Sequence, residues 1–259
     1  MLSKIFPFFS PTRLAPIGHP ARHFMYVVAL CFSLTISPVS ADAATGKKPA
    51  KASPKDTTDV KYEDSTESSA NLAPSQPPAG SSPMAELKKS NATLKKLLQK
   101  PSPSWSPENE AKRSDIRKIV GSFLDFDELA RRALARHWEG LTTKQKTEFV
   151  TVLRELIDRN YIKQVHGQPD YQMRFEKEEI SGSEATVNAT LDTSSNGKKV
   201  AVSMEYKLLY KGSRWLVYDV VTDEQSMLEN YRAEFNKIIT KESFDALLKR
   251  MKKRLDKTE

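Results

Sequence analysis

Few side chains in this sequence have the types and spacing that catalysis requires. Asp219, flanked by Tyr218, is the conceivable catalytic carboxylate of an acid/base enzyme, although it could equally bond to the backbone or to an arginine. His137 precedes Trp138 in a segment with helical spacing, which favours a structural histidine over a general base. Acid/base chemistry is therefore an alternative and not the favoured interpretation.

The sequence lacks the motifs of metal and nucleotide enzymes. Only His137 and His166 lie beyond the N-terminal 43 residues, and neither an HExxH motif nor a glycine-rich phosphate loop accompanies them. Cys31 is the only cysteine and lies in a segment that we expect to be removed. This excludes disulfides, thiol nucleophiles and thiolate ligands from the mature chain. We expect no metal, no cofactor and no catalytic residue.

The N-terminus has the layout of a secretory signal. An apolar run over residues 24–39 follows a segment with three basic residues and no acid, and it is shorter than the roughly 20 residues of a spanning helix. Small residues predict cleavage after Ala41 or Ala43, so we assign 1–41 as the signal peptide and expect export. An uncleaved membrane anchor is the alternative. Lipidation of Cys31 is disfavoured, because bulky Leu30 precedes it.

Residues 42–83 have the amino-acid composition of a disordered tether. They are rich in Ser, Thr, Ala, Pro, Lys and Asp and contain almost no large apolar residue, so they cannot bury enough surface to offset chain entropy. Fourteen of the fifteen prolines lie at or before Pro107. We therefore place the folded domain at 84–259, which is long enough for one substantial core.

Positive charge is spread along the chain and concentrates near its C-terminus. The net charge of +8 falls to +5 when the three basic residues of the signal are subtracted. The C-terminal cluster is either a solvated helix face or a docking surface for anionic lipid or an acidic partner. Its members are Lys249, Arg250, Lys252, Lys253 and Arg254. We expect the protein to be a monomer that does not bind nucleic acid.

Apolar residues at steps of three and four predict helices at both ends of this domain. The first spans 84–99, and the second spans 108–141 with a break around 121–125, where Asp125 can cap the helix that follows. The next begins at Thr142 or Thr143. The last two span 226–239 and 242–255.

Between these helices the apolar period changes from 3.6 to 2. Alternation over 171–175, 185–191 and 200–210, together with the apolar run 215–221, predicts four antiparallel strands with one continuous apolar face. Turns are supplied by Ser181-Gly182, Asn196-Gly197 and Lys211-Gly212. The last strand is apolar on both sides, so we expect it to be central or covered. The fold class is α+β.

Three segments resemble the MlaC (toluene-tolerance) family. FDELARRAL at 126–134, followed by His137 and Trp138, is similar to its DFDELARRALGRHW segment. WLVYDV at 215–220 resembles W-x-V-Y-D-V, and SMLENYRAEF at 226–235 resembles S-L-V-x-N-Y-R-x-x-F. The family usually has a glycine two residues before that serine. This chain has Glu224 there, which leaves the geometry of the turn open.

The resemblance implies a periplasmic carrier of glycerophospholipid, the auxiliary component of an ABC transporter. Such a carrier moves lipid between an inner-membrane complex with an MCE-domain protein and an outer-membrane lipoprotein complex, which maintains outer-membrane asymmetry. It also implies helices packed on the concave face of the sheet and a cavity that shelters acyl chains. The alternatives are a small α+β enzyme, with Asp219 as its carboxylate, and a structural module that binds the envelope.

Apolar residues of the sheet face and of neighbouring helices are the candidates for contact with lipid tails. They are Val150, Leu153, Ile157, Tyr161, Met173, Phe175, Val187, Val202, Met204, Tyr206, Trp215, Val217 and Tyr231. The flexible thioethers of Met173 and Met204 suit tails of variable shape. No spacing rule separates a lined cavity from a filled core, so a packed core is the competing interpretation.

Overall fold

The structure, a computed structural model, describes residues 73–98, 107–165, 171–195 and 198–256. The predicted signal peptide, both cleavage sites, residues 42–72 of the predicted tether and His166 lie outside the described residues. The helices are α1 (Pro83–Leu98), α2 (Pro107–Phe123), α3 (Phe126–Leu134), α4 (Thr143–Val165), α5 (Met227–Lys241) and α6 (Phe244–Asp256). The strands are β1 (Gln172–Ser181), β2 (Glu184–Ser195), β3 (Lys198–Lys211), β4 (Arg214–Thr222) and β5 (Gln225–Ser226).

Two predicted helix starts are confirmed by their caps. Asp125 precedes α3, and its side chain accepts a hydrogen bond of 3.0 Å from the backbone N–H of Glu128. Ser226 precedes α5 and accepts from the N–H of Glu229 at 3.0 Å. Each cap satisfies one of the backbone donors that a helix leaves free at its first turn.

The strands form one antiparallel sheet in the order β1-β2-β3-β4-β5. The α+β class is confirmed, but the predicted number of four strands is one too few. Asp223 and Glu224 both have positive φ, 45° and 66°, which reverses the chain tightly enough for Gln225 and Ser226 to pair with the end of β4. Two consecutive residues with positive φ are typical of a primed hairpin turn, which aspartate tolerates and glutamate rarely enters.

Alternate residues of β1–β4 share one surface, which we name the inner face. Val187 lies opposite Tyr206, and Tyr206 lies opposite Val220. At the β3–β4 end the other face is buried as well: Leu209 and Leu216 are 2% and 1% exposed. This confirms that β4 is covered on both sides.

Helices cover both faces of that end, whereas the sequence placed them on one concave face. Arg132 of α3 bonds to Glu184 at 2.7 Å, and Glu184 pairs with Leu209 on the face opposite the inner one. The physical reason is the doubly apolar β4, because each of its faces needs a partner to exclude water.

A buried ion pair fastens the start of α3 to the end of β3. Lys211 Nζ lies 2.9 Å from Asp125 Oδ2, and both residues are 4% exposed or less. The backbone N–H of Asp125 also donates to the carbonyl of Val217 at 2.8 Å. The carboxylate that caps α3 is thus also the counter-ion of the lysine.

The acidic first turn of α3 forms ion pairs with arginines of the same helix. Arg131 and Arg132 both donate to Glu128, at distances of 2.6 to 2.9 Å. Burial opposes ionisation of this carboxyl, but the two guanidinium groups outweigh it and lower the pKa of Glu128 to about 2.

Residues 73–82, at the end of the predicted tether, contact the domain. The N–H of Ser75 donates to the carbonyl of Tyr210 at 3.1 Å, and the indole N–H of Trp215 donates to Ser81 Oγ at 2.8 Å. A domain that begins at Met84, as predicted, would not include Ser75 and Ser81, which form these hydrogen bonds.

The basic C-terminal helix is partly neutralised by neighbouring acids. Arg250 pairs with Glu242, and Lys252 pairs with Glu148 of α4. Lys249 and Lys253 are exposed. Within the described residues, none of the helices combines the length and the apolar character needed to cross a bilayer.

Candidate ligand-binding site

One end of the inner face is filled by side chains. Leu208 and Val217 lie opposite each other and are 1% exposed, and Trp215 is 2% exposed. Helix α1 closes over this end, where the N–H of Trp215 donates to Glu86 at 3.3 Å. Of the predicted tail contacts, Trp215 and Val217 therefore belong to a packed region.

The opposite end of the inner face is not filled in this way. Its apolar side chains remain partly exposed although they point to the same side as the core. We name this set the open half of the inner face, and it consists of Met173, Phe175, Leu191, Val200 and Tyr206. Val187, Val202 and Met204 lie between its members and are 6% exposed or less. Incomplete cover over a continuous apolar surface is what a ligand cavity requires.

Tyr206 identifies the character of this region. Burial, with a further contribution from nearby Tyr171, raises the pKa of the Tyr206 hydroxyl, so protein surrounds it. Its side chain nevertheless retains accessible surface. Tyr206 is therefore largely but not completely covered by protein, like the other members of the open half. Burial also raises the pKa of Tyr171, to about 12.

Helix α4 supplies three predicted tail contacts that are buried. Val150 is 9% exposed, and Leu153 and Ile157 are 1% exposed or less. The helix packs against α2, α3 and α6, and neighbouring Phe149 meets the ring of Phe244 at 5.9 Å. Tyr161 also lies on α4, but its side chain is outside the described part of the structure.

Tyr231 lies in an aromatic cluster at the start of α5. Its ring stacks on Phe235 at 5.4 Å, and Phe235 meets Phe149 edge to face at 5.5 Å. Neighbouring Arg232 bonds to Glu229 and to the backbone carbonyl of Arg132. The ring is fully buried, so its surroundings are those of a packed core.

Three polar residues of α1 that the sequence interpretation missed face β1. Lys88 and Lys95 lie over the rings of Phe175 and Tyr171, and Asn91 accepts a hydrogen bond from the Tyr171 hydroxyl at 3.1 Å. Their spacing of three and four residues was the available signal, because it places all three on one helix face. The sequence does not indicate that this face of α1 packs against β1.

The side chains of Asp219 and Tyr218, the candidates for acid/base chemistry, both make contacts that stabilise the fold. Asp219 is 1% exposed and accepts from Ser226 Oγ at 2.7 Å and from the N–H of Leu228 at 2.9 Å. Tyr218 lies beneath the guanidinium of Arg132, 3.9 Å from its ring centroid. The carboxylate therefore fixes the start of α5. Among the described residues, no three His, Cys, Asp or Glu side chains are grouped to hold a metal ion.

A separate cavity of about 390 Å³ lies where the turn after α3 meets α5. Apolar atoms dominate its wall, and its polar groups bond to one another: Arg136 and His137 both contact Asn236 Oδ1, at 2.9 and 3.0 Å. His137 is thus held by an amide, as expected of a structural histidine.

Fold and sequence together define a class of protein. A sequence model described as "MlaC protein" matches residues 88–253, and the chain belongs to the MlaC family. It is similar to the "Intermembrane phospholipid transport system binding protein MlaC" of Haemophilus influenzae, with 21% identity over 141 residues. That match covers 54% of this chain and 66% of the relative, so the chain spans slightly less than two thirds of its length.

A solved structure has the same fold. It is a phospholipid-binding protein from Ralstonia solanacearum in complex with a phospholipid, and it superposes with a TM-score of 0.58 at 17% sequence identity. The superposition covers 69% of this chain and 99% of that structure. The predicted family and fold class are confirmed.

Proposed function

We propose that this protein binds one glycerophospholipid and carries it through the periplasm. The observation that supports this most directly is the open half of the inner face, an apolar surface that surrounding protein leaves incompletely covered. The family and the phospholipid-bound protein of the same fold point to the same cargo.

The energetics of the cargo require such a surface. At about 0.8 kcal/mol per methylene, two acyl chains of about 15 methylenes cost on the order of 20 kcal/mol to expose to water. A carrier must therefore hide both tails and leave the charged phosphate near water, because an unpaired buried phosphate is costly. We assign tail contact to the open half of the inner face. The other predicted contacts, on α4, α5 and the filled end, support its walls.

Export delivers the protein to its place of action. We propose that the signal at 1–41 is removed, that 42–72 tether the domain, and that the protein works as a monomer without catalysis. Its partners are the inner-membrane MCE-domain transporter complex and the outer-membrane lipoprotein complex. Transfer of labelled phospholipid between vesicles that each contain one complex tests this: without acceleration by the protein, the shuttle role is refuted.

Direct analysis of the purified protein tests the cargo. The exported chain is purified from a Gram-negative host, extracted with organic solvent and analysed by mass spectrometry, with about one phospholipid per protein expected. Leu191→Trp with Val200→Trp adds two indoles to the open half and should at least halve that ratio.

Ile180→Trp is the matched control. Ile180 lies on the edge strand β1 opposite Ala185, at the end of the sheet away from the open half, and it is 46% exposed. An indole at this position extends into water, so the lipid content should not change. Absence of phospholipid from folded wild-type protein would refute the function. Full lipid content in the double variant would refute the assignment of the open half.

A further inference from the structure

Helix α1 lies along the edge strand of the sheet in the opposite direction. Near its start, the N–H of Met84 donates to Glu178, close to the end of β1, at 2.8 Å. Further along, Asn91 meets Tyr171, which directly precedes β1, at 3.1 Å. The face of α1 between these two attachments therefore follows the open half of the inner face.

Two lysines of α1 project over this edge. Lys88 Nζ is 6.0 Å from the ring centroid of Phe175, and Lys95 Nζ is 5.8 Å from that of Tyr171. The residues are two helical turns apart, about 10 Å along the axis, with Asn91 between them. Tyr171 and Phe175 alternate with polar residues and point to the inner face, so the ammonium groups lie at the border of the apolar surface.

These ammonium groups have no acidic partner within residues 73–98, 107–165, 171–195 and 198–256. The ion pairs there, at N···O distances up to 4.0 Å, include neither lysine. The opposite face of the same strand is different: Arg174 pairs with Asp192, and Lys177 pairs with Glu179. These two cations of β1 face away from the open half and are paired, whereas Lys88 and Lys95 of α1 border the open half and have no acidic partner among the described residues.

We propose that Lys88, Asn91 and Lys95 form a phosphate-binding rim for the head group of the bound phospholipid. The proposal rests on the proposed function and adds the position of the head group. Tails against Met173 and Phe175 would leave the phosphate at the edge where α1 passes. Two ammonium groups and the amide N–H of Asn91 can donate to its oxygens there.

The residue types also define the selectivity of the rim. A lysine is a flexible point charge and recognises the phosphate without the fixed geometry of an arginine. The rim therefore binds the phosphodiester and not the alcohol attached to it.

A competition between two lipids tests the rim without a membrane surface. The full mature chain is equilibrated in neutral detergent micelles containing equal amounts of phosphatidylglycerol and diacylglycerol with the same acyl chains, then re-purified and analysed by mass spectrometry. Wild-type protein should be enriched in the phospholipid. Lys88→Met with Lys95→Met keeps the apolar stems over the rings and removes both charges, and should lower that enrichment about tenfold, or about 1.4 kcal/mol.

Lys89→Met with Lys96→Met is the matched control, because it removes two exposed charges from the same helix. It should leave the enrichment unchanged. An equal loss in the control, or none in the Lys88 and Lys95 variant, would overturn the rim. Uptake of neither lipid by wild-type protein would refute the proposed function itself.

A second titration separates a lipid head group from free phosphate. Calorimetry with inorganic phosphate on lipid-free protein should show no binding at millimolar concentration, because the rim requires the anchored tails. Lysine-dependent binding of free phosphate, with an unchanged lipid ratio, would overturn the assignment to the head group.

Discussion

Asp158 is predicted to make the stability of the folded protein depend on pH. This carboxyl of α4 is 7% exposed, and its Oδ1 accepts no hydrogen bond from the described residues. Burial raises its pKa to about 7, against the opposing charges of Arg154 and Arg117. Glu155 raises it slightly further.

The sign of the effect follows from the direction of this shift. A carboxyl whose pKa is higher in the folded state binds its proton more tightly there, so it stabilises the fold at low pH. That contribution is complete below the unfolded pKa and is lost as pH rises through the folded value. With 1.36 kcal/mol per unit, the change from 3.8 to about 7 corresponds to about 4 kcal/mol, lost between about pH 4 and pH 7. The low pKa of Glu128 acts in the opposite direction, but only as pH falls below about 4.5.

The variant Asp158→Asn isolates this contribution, because a neutral amide replaces the titrating group and other titrations cancel in the comparison. Urea unfolding is measured for both proteins at pH 4.5, 6 and 8. The variant should be close to wild type at pH 4.5 and more stable by about 2 to 4 kcal/mol at pH 8. Glu155→Gln changes an exposed carboxylate on the same helix that raises the pKa of Asp158 only slightly, so it should retain most of the wild-type slope. Parallel stability curves for wild type and Asp158→Asn would refute the reasoning.

Four further substitutions test backbone strain and the buried ion pair. Glu224→Gly should raise the free energy of unfolding by about 1 kcal/mol, because Glu224 has φ 66° and glycine enters that region without steric cost. Ala135→Gly should stabilise by about 1 to 2 kcal/mol, since Ala135 has φ 45° and ψ −120° where the family segment has glycine; a lower thermal midpoint would contradict this. Lys211→Met should destabilise by about 3 to 5 kcal/mol by leaving Asp125 unpaired. Adding Asp125→Asn should restore most of that loss in urea unfolding, and no recovery would show that the charge is not the cause.

Local signals account for the features that the sequence predicted correctly. The cap Asp125 and the helix start at Ser226 depend on neighbours three residues away, and the strand faces depend on alternation, so a short window contains both signals. A structural role for Asp219 was also among the alternatives, because a bond to the backbone was expected and the N–H of Leu228 donates to its carboxylate.

Features that join distant segments were not predictable in this way. Asp125 and Lys211 are 86 residues apart, and the sequence around each residue gives no indication that the two side chains form an ion pair. The fifth strand depends on positive φ at Asp223 and Glu224, and glutamate seldom adopts this conformation. The distinction between filled and open halves of the inner face depends on which helix covers which strand, a property of the assembled domain.

Strand β3 passes through both halves of the inner face, from Val200 to Leu208. Its two ends should therefore tolerate substitution for different reasons. Near Leu208 a change of side-chain volume acts on folding, because every neighbour is in contact. Near Val200 the same change acts mainly on the shape available to a guest molecule. Selection for new cargo could thus act on one end of a single strand while the other end preserves the fold.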